Sequence, residues 1–283
     1  MTAFYDTYHS IQASVNRRFQ GGFSFGASYT YGISLKGNTG LSQRYTHAAD
    51  GTISLRSDEQ AYENLMSTLD RRPNFLKFNS VWLSPGISGG GMVLRQLTKD
   101  WQLSGVLTAS SGGAYTLGYS YNSAGANVNI TGSPDWGGRV ILGNNLGSGC
   151  SSNPFNQFTA TAVTGPSYNS LSMESGRNNL RYCPNENVDL SISRRIAFGK
   201  IFTETRRLEL RADIFNALNT VIINGVSTTA TFNNPTNMVL QNNQFNSDGS
   251  VNGTRLQPKN AGFGAATSAQ AMRNLQLQLR FSF

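Results

Sequence analysis

Residues 23–36 read FSFGASYTYGISLK, and their order decides the fold. Phe23, Phe25, Ala27, Tyr29, Tyr31, Ile33 and Leu35 occupy one parity, while Ser24, Gly26, Ser28, Thr30, Gly32, Ser34 and Lys36 occupy the other. Successive side chains of a strand point to opposite faces, so this period of two predicts a strand with one apolar and one polar side. Its length suits a bilayer crossing, for which a tilted strand needs about 9–11 residues.

The pattern extends outward in both directions. Upstream, Ile11, Ala13, Val15 and Phe19 alternate with Ser10, Gln12, Ser14, Asn16 and Arg18, and Gln20-Gly21-Gly22 between the two runs reads as a tight hairpin turn. Downstream, Trp101, Leu103, Gly105, Leu107 and Ala109 keep one parity, as do Val188, Leu190, Ile192, Ile196 and Phe198 against Asp189, Ser191, Ser193 and Arg195. Leu208, Leu210, Ala212 and Ile214 alternate with Glu209, Arg211 and Asp213. Residues 74–84, with Leu76, Phe78 and Trp82 on one parity, make a poorer strand. The last run sets Leu275, Leu277, Leu279, Phe281 and Phe283 against Asn274, Gln276, Gln278, Arg280 and Ser282. In a soluble protein so apolar a terminal strand would invite edge-to-edge pairing, whereas a barrel strand has a partner waiting.

Composition agrees with a strand-built membrane protein. Charged residues are 13% of the chain, against roughly 25% in an ordinary soluble domain. No run approaches the ~18 consecutive apolar residues of a spanning helix, so any crossing must use strands. The fold class expected is therefore all-β: about seven strands of an antiparallel, up-and-down transmembrane β-barrel with long extracellular loops. The connections near 20–22, 85–100 and 199–206 are short or moderate and alternate with long ones at 37–73, 118–186 and 220–271. Outer-membrane barrels use short periplasmic turns and longer extracellular loops, which would put the C-terminus on the periplasmic side.

Seven is an odd total for a bacterial single-chain barrel. Residues 1–6, MTAFYD, show no basic or apolar leader region of the kind that export requires. Both points lead us to expect a C-terminal part of a longer barrel, with its upstream strands before Met1.

Six segments in this order resemble the end of Oar-like TonB-dependent receptors, which carry a carboxypeptidase-regulatory-like domain at the N-terminus. They are SIQASVNRRFQGGFSFGASYTYGISL (10–35), LDRRPNF (69–75), DWQLSG (100–105), SGRN (175–178), LELRADIFNALN (208–219) and FGAATSAQAMRNLQL (263–277). Pro73 stands where the family usually has His. The resemblance implies a barrel of about 22 strands with an internal plug, energised by the TonB complex to import or export a bound ligand. It implies as partners outer-membrane lipid, upstream plug and barrel strands, the TonB complex and an unidentified ligand. No plug, TonB box or regulatory-like domain lies within these residues.

The residues considered for chemistry offer no catalytic constellation, in keeping with the transport role the resemblance implies. His9 and His47 are the only histidines, and neither accompanies a GxSxG or another hydrolase pattern, so no enzyme, cofactor or metal site is expected. Asn246-Ser-Asp-Gly-Ser250 lacks the ligand alternation of a calcium loop and reads as a turn. Asn129-Ile-Thr131 and Asn252-Gly-Thr254 are chance matches to a glycosylation sequon. The net charge of +8 sits in single residues and pairs such as Arg17-Arg18 and Arg71-Arg72, without a basic run, which argues against a nucleic-acid partner. Cys150 and Cys183 belong to no CxxC pattern, leaving one disulfide or two thiols open.

Arg18, Lys36, Asp189, Arg195, Glu209, Arg211, Asp213 and Arg280 have the polar parity and are expected to face the lumen, with Asp189 and Arg195 meeting the charges of 209–213 across a hairpin. Tyr5, Tyr8, Tyr29, Tyr31, Trp82, Trp101, Phe281 and Phe283 fall near strand ends, as interfacial girdles do. The rival architecture is a soluble or surface-exposed β-sandwich binding module. There the same aromatics would form a core.

Overall fold

A computed structural model describes residues 5–6, 8–34, 36–38, 45–47, 53–55, 66–68, 72–86, 89, 91–122, 140–166, 178, 180–201 and 204–282. Seven long strands form one sheet: β1 (His9–Gln20), β2 (Phe23–Ser34), β3 (Asn74–Pro85), β4 (Lys99–Ser110), β5 (Asn185–Ile201), β6 (Glu204–Phe215) and β7 (Asn274–Ser282). Each pairs antiparallel with its neighbours in sequence order, giving a meander. β1 and β7 are its edges, so the sheet is open.

Residues directly opposite in an antiparallel pair share a face, and the register joins the separate alternations into two continuous surfaces. One row runs Phe23, Trp82, Leu103, Ile192, Ala212, Leu277 across six strands. The adjacent row on the other face runs Ser24, Val81, Ser104, Ser191, Asp213, Gln276. The apolar face is uncovered: Leu277 is 77% and Leu279 69% exposed. A sandwich would bury that face under a second sheet, and the seven strands form one sheet only. The polar face has apolar members in Phe75, Val81 and Val106, which the alternation in sequence hides because β3 carries apolar residues on both parities.

The turns at one end are short. Gly21 and Gly22 take φ of 61° and 80° between the paired Gln20 and Phe23, which is the conformation a two-residue type I′ hairpin requires. Ile201 pairs with Glu204 at the next short turn of the pattern. Between β3 and β4 the moderate connection contains a helix, α1 (Met92–Thr98), which the alternation does not foretell. Its Val93, Leu94 and Leu97 are exposed, and the Trp101 indole N–H donates to the Leu97 carbonyl at 2.7 Å.

The core lies elsewhere. Among the described residues every buried hydrophobic side chain falls between Ala114 and Ala265, in the two long connections at the opposite end of the sheet. Tyr115, Leu117, Val140, Leu146, Phe158, Ala162, Val163 and Leu180 from the β4–β5 connection pack with Ile223, Val226, Ala230, Phe232 and Phe263 from the β6–β7 connection. Backbone pairing interlocks the two: Gly118–Tyr121 runs parallel to Thr229–Asn234. These loops therefore form one compact body with its own core.

Candidate functional site

The polar face of β5, β6 and β7 carries most of the charged residues singled out in sequence. Arg195, Glu209 and Arg280 form one row, and the Arg195 guanidinium reaches the Glu209 carboxylate at 3.5 Å. Two residues along β6, Arg211 Nε donates to both Asp213 oxygens at 3.0 and 2.9 Å, so this pair closes within one strand and not across the hairpin. Asp189 differs from expectation. Among the described residues it meets no arginine; its Oδ1 accepts the Asn216 backbone N–H at 2.9 Å, because Asn216 takes a left-handed φ of 48° where β6 ends and swings its amide toward β5. Arg18 is exposed and falls in the register shift between Arg17 and Gln20. Lys36 belongs to a short strand, Lys36–Asn38, and its side chain lies outside the described residues.

Alternation also misses two arginines on the apolar face. Arg194 lies opposite Trp101, with its guanidinium carbon 5.5 Å from the indole, and Arg17 sits the same distance over Phe23. Both pairs lie toward the short-turn end, where a long cationic side chain can rest its stem on an aromatic ring and keep its head in a polar interface. Trp82 shares that end, while Tyr29 and Tyr31 lie toward the other. Tyr5 and Phe283 are outside the described side chains.

At the long-loop end the segments that carry the resemblance turn out to be clamps. The Arg72 guanidinium donates to Ser110 Oγ at 2.9 Å, and Asn74 accepts from Tyr29 O–H at 2.7 Å while donating to Ser111 Oγ at 3.0 Å. Asn178, at φ 55°, meets Thr116 through both its backbone N–H and its side chain. The Asn216 amide donates to the Thr220 and Ala271 carbonyls and accepts from Thr220 N–H, and Asn219 Oδ1 accepts from Arg273 N–H at 3.2 Å. DIFNALN (213–219) thus ends β6 and ties it to the start of β7.

The loop body is fastened below by a disulfide between Cys150 and Cys183, whose Cα atoms are 4.7 Å apart. Inside it, the Tyr115 hydroxyl donates to the Gly149 carbonyl at 2.8 Å. Burial, and then the neighbouring Tyr182, push that hydroxyl far above its ordinary value. Buried Gln244 donates to the Arg255 carbonyl and accepts from Gly262 N–H at 2.6 Å. Residues 246–250 form a turn: Asn246 N–H donates to the Ser250 carbonyl, and Asp248 accepts from the Ser250 hydroxyl, which holds its carboxyl below the usual range. The Asn252 side chain accepts from Thr254 N–H, capping a short helical turn. Asn129 and Thr131 lie outside the described residues.

Between the end of the sheet and this body lies a cavity of about 360 Å³. Its wall includes Arg72, Tyr182, Asn185, Asn224 and Gln270, with Gly112 and Gly113. None of these except Arg72 carries a charge, and pattern reading in sequence marks none as a site. Among the described residues, no cluster of His, Cys, Asp and Glu has the geometry of a metal site. His9 is an exposed residue at the start of β1, and His47's side chain is outside the described residues.

A one-sided apolar sheet, polar on its other face, matches what bilayer immersion demands of strands. The family model for an outer membrane beta barrel domain matches residues 1–276. The chain belongs to the outer membrane beta barrel domain family. As an outer membrane beta barrel domain it sits in the lipid of the bacterial outer membrane, and the uncovered face of β1–β7 is the surface that lipid wets. No curated protein and no solved structure matches the chain.

Proposed function

We propose that this chain is the C-terminal part of a TonB-dependent receptor of the Oar-like type, contributing the closing strands and ligand-binding loops of a barrel of about 22 strands. The loop body supports this reading: two long connections folded into one cored unit at the end of the sheet form a platform, whereas a simple pore needs only short or pendant loops. The six ordered sequence segments supply the likeness to receptors. In this arrangement the long connections lie outside the cell, and the short turns and the C-terminus lie in the periplasm. The row Arg195, Glu209, Arg280 faces the lumen and its plug. The protein carries substrate across the membrane, inward or outward, and performs no bond chemistry.

Two measurements test it. In cells making the full-length protein, a membrane-impermeant maleimide should label Asp248→Cys in intact cells and Gly21→Cys only after the outer membrane is opened; the reverse pattern would overturn the orientation. Growth on a panel of carbon, peptide and metal sources should fail on the same source in cells lacking the receptor and in cells lacking TonB. A receptor-dependent nutrient that still enters without TonB would exclude energised transport.

A further inference from the structure

We propose that the cavity between the sheet and the loop body binds a small hydroxylated carboxylate of sugar-acid size. The biological role of this site rests on the receptor reading above; the binding itself does not.

The cavity is built from both ends of the sheet-to-loop junction. Arg72 precedes β3, Asn185 opens β5, Asn224 follows β6, and Gln270 precedes β7. At about 360 Å³ it falls within the size range of small-molecule sites. Three features define the ligand's chemistry.

The first is charge. Arg72 is the one charged residue among the described residues of the wall, and Ser110 Oγ holds its guanidinium from one side at 2.9 Å. A fork of N–H donors with no acid among the described residues of its wall selects an anion, and its planar geometry matches a carboxylate.

The second is a pair of side-chain amides in the wall, Asn224 and Gln270. Each amide carries both a donor and an acceptor, and hydroxyls are the groups that use both.

The third is shape. Tyr182 forms part of the wall, and its ring is fixed against Tyr115 at a centroid distance of 4.6 Å. The backbone at Gly112 comes so close to the Tyr182 carbonyl that any Cβ there would overlap it, so only glycine fits at this point of the wall. A fixed aromatic wall beside amides suits the apolar face and the hydroxyls of one sugar ring.

Calorimetry on the full-length protein in nanodiscs, with galacturonate and galactose as probes, tests the site. Galacturonate should bind at least about tenfold more tightly than galactose. Arg72→Gln should erase that difference; Arg72→Lys, which keeps the charge but not the fork, should restore part of it. Gln270→Ala should weaken both probes. Equal affinity for the two sugars, no heat with galacturonate at millimolar concentration, or full affinity in Arg72→Gln would each overturn the proposal. Because the assay contains no TonB, a failed uptake experiment would leave this result standing. Equally, a failed titration would leave the receptor reading standing.

Discussion

Removing the Cys150–Cys183 bridge should loosen the loop body and leave the sheet intact. The bridged residues are 33 apart, and the chain-entropy relation for a loop of that size gives about 3–4 kcal/mol of stabilisation. That energy should appear locally, because the core served by the bridge lies wholly in the two connections while the sheet is held by its own ladder. Protection of loop-body amides against hydrogen exchange should therefore fall by a factor on the order of several hundred. The amides to watch are Gly118, which donates to Thr228, Gln157, which donates to Gly264, and Phe263, which donates to Asn242. The comparison set is Leu190, Ile192 and Leu210 in β5 and β6. The full-length Cys150→Ser/Cys183→Ser variant would be measured in nanodiscs beside the oxidised protein. Equal loss in both sets would show that loops and sheet unfold as one unit. Unchanged protection would show that the core holds the loops without the bridge. Either result refutes the reasoning.

Leu277→Arg should lower assembly into phospholipid vesicles, at a cost of about 2–4 kcal/mol for a guanidinium near the bilayer midplane, while Gln278→Arg on the other face should assemble normally; equal behaviour would contradict the parity. Asn216→Ala removes three side-chain hydrogen bonds and puts a Cβ-bearing residue without compensating contacts at φ 48°, so it should cost about 1–3 kcal/mol; denaturant midpoints of the full-length protein check it, and Asn216→Gly should recover only the backbone share. Tyr115 stays neutral in the folded state because burial raises its pKa from 10.0, so its contribution is complete below about pH 10 and fades as pH climbs beyond that. Absorbance titration should show fewer tyrosines ionising before the loops open in the oxidised protein than in its unfolded chain, a deficit that Tyr115→Phe reduces.

How much of this was legible depended on periodicity. The alternation in residues 23–35 and 275–281 is strict, so strand, face and membrane class could all be read from it. β5 proved longer than residues 188–198 because Asn185, Glu186 and Asn187 extend it with polar residues that interrupt no pattern yet announce none. Helix α1 gave no signal: it is one of the shortest helices a pattern can carry, and its N-cap, Gly91, offers no side-chain bond. The loop core was illegible for a different reason. Leu117, Phe158, Phe232 and Phe263 sit without period among small polar residues, and their partners lie in another connection. The charged residues of β6 were readable as a face, but Asp189 was not, since its partner is a backbone N–H set by the left-handed Asn216. The cavity escaped because its wall comes from five separate strand ends.

The interlock of the two connections also dictates an order of assembly. Ser120 and Thr231, hydrogen-bonded at 3.1 Å, are 111 residues apart along the chain. Once β4, β5 and β6 are zipped together, the free chain between them shrinks to about 26 residues, which lowers the closure cost by about 1.3 kcal/mol and raises the chance of encounter about ninefold. The strands should thus form first and the body last. Each connection stays a slack thread until its neighbour is in place, and only then becomes a solid.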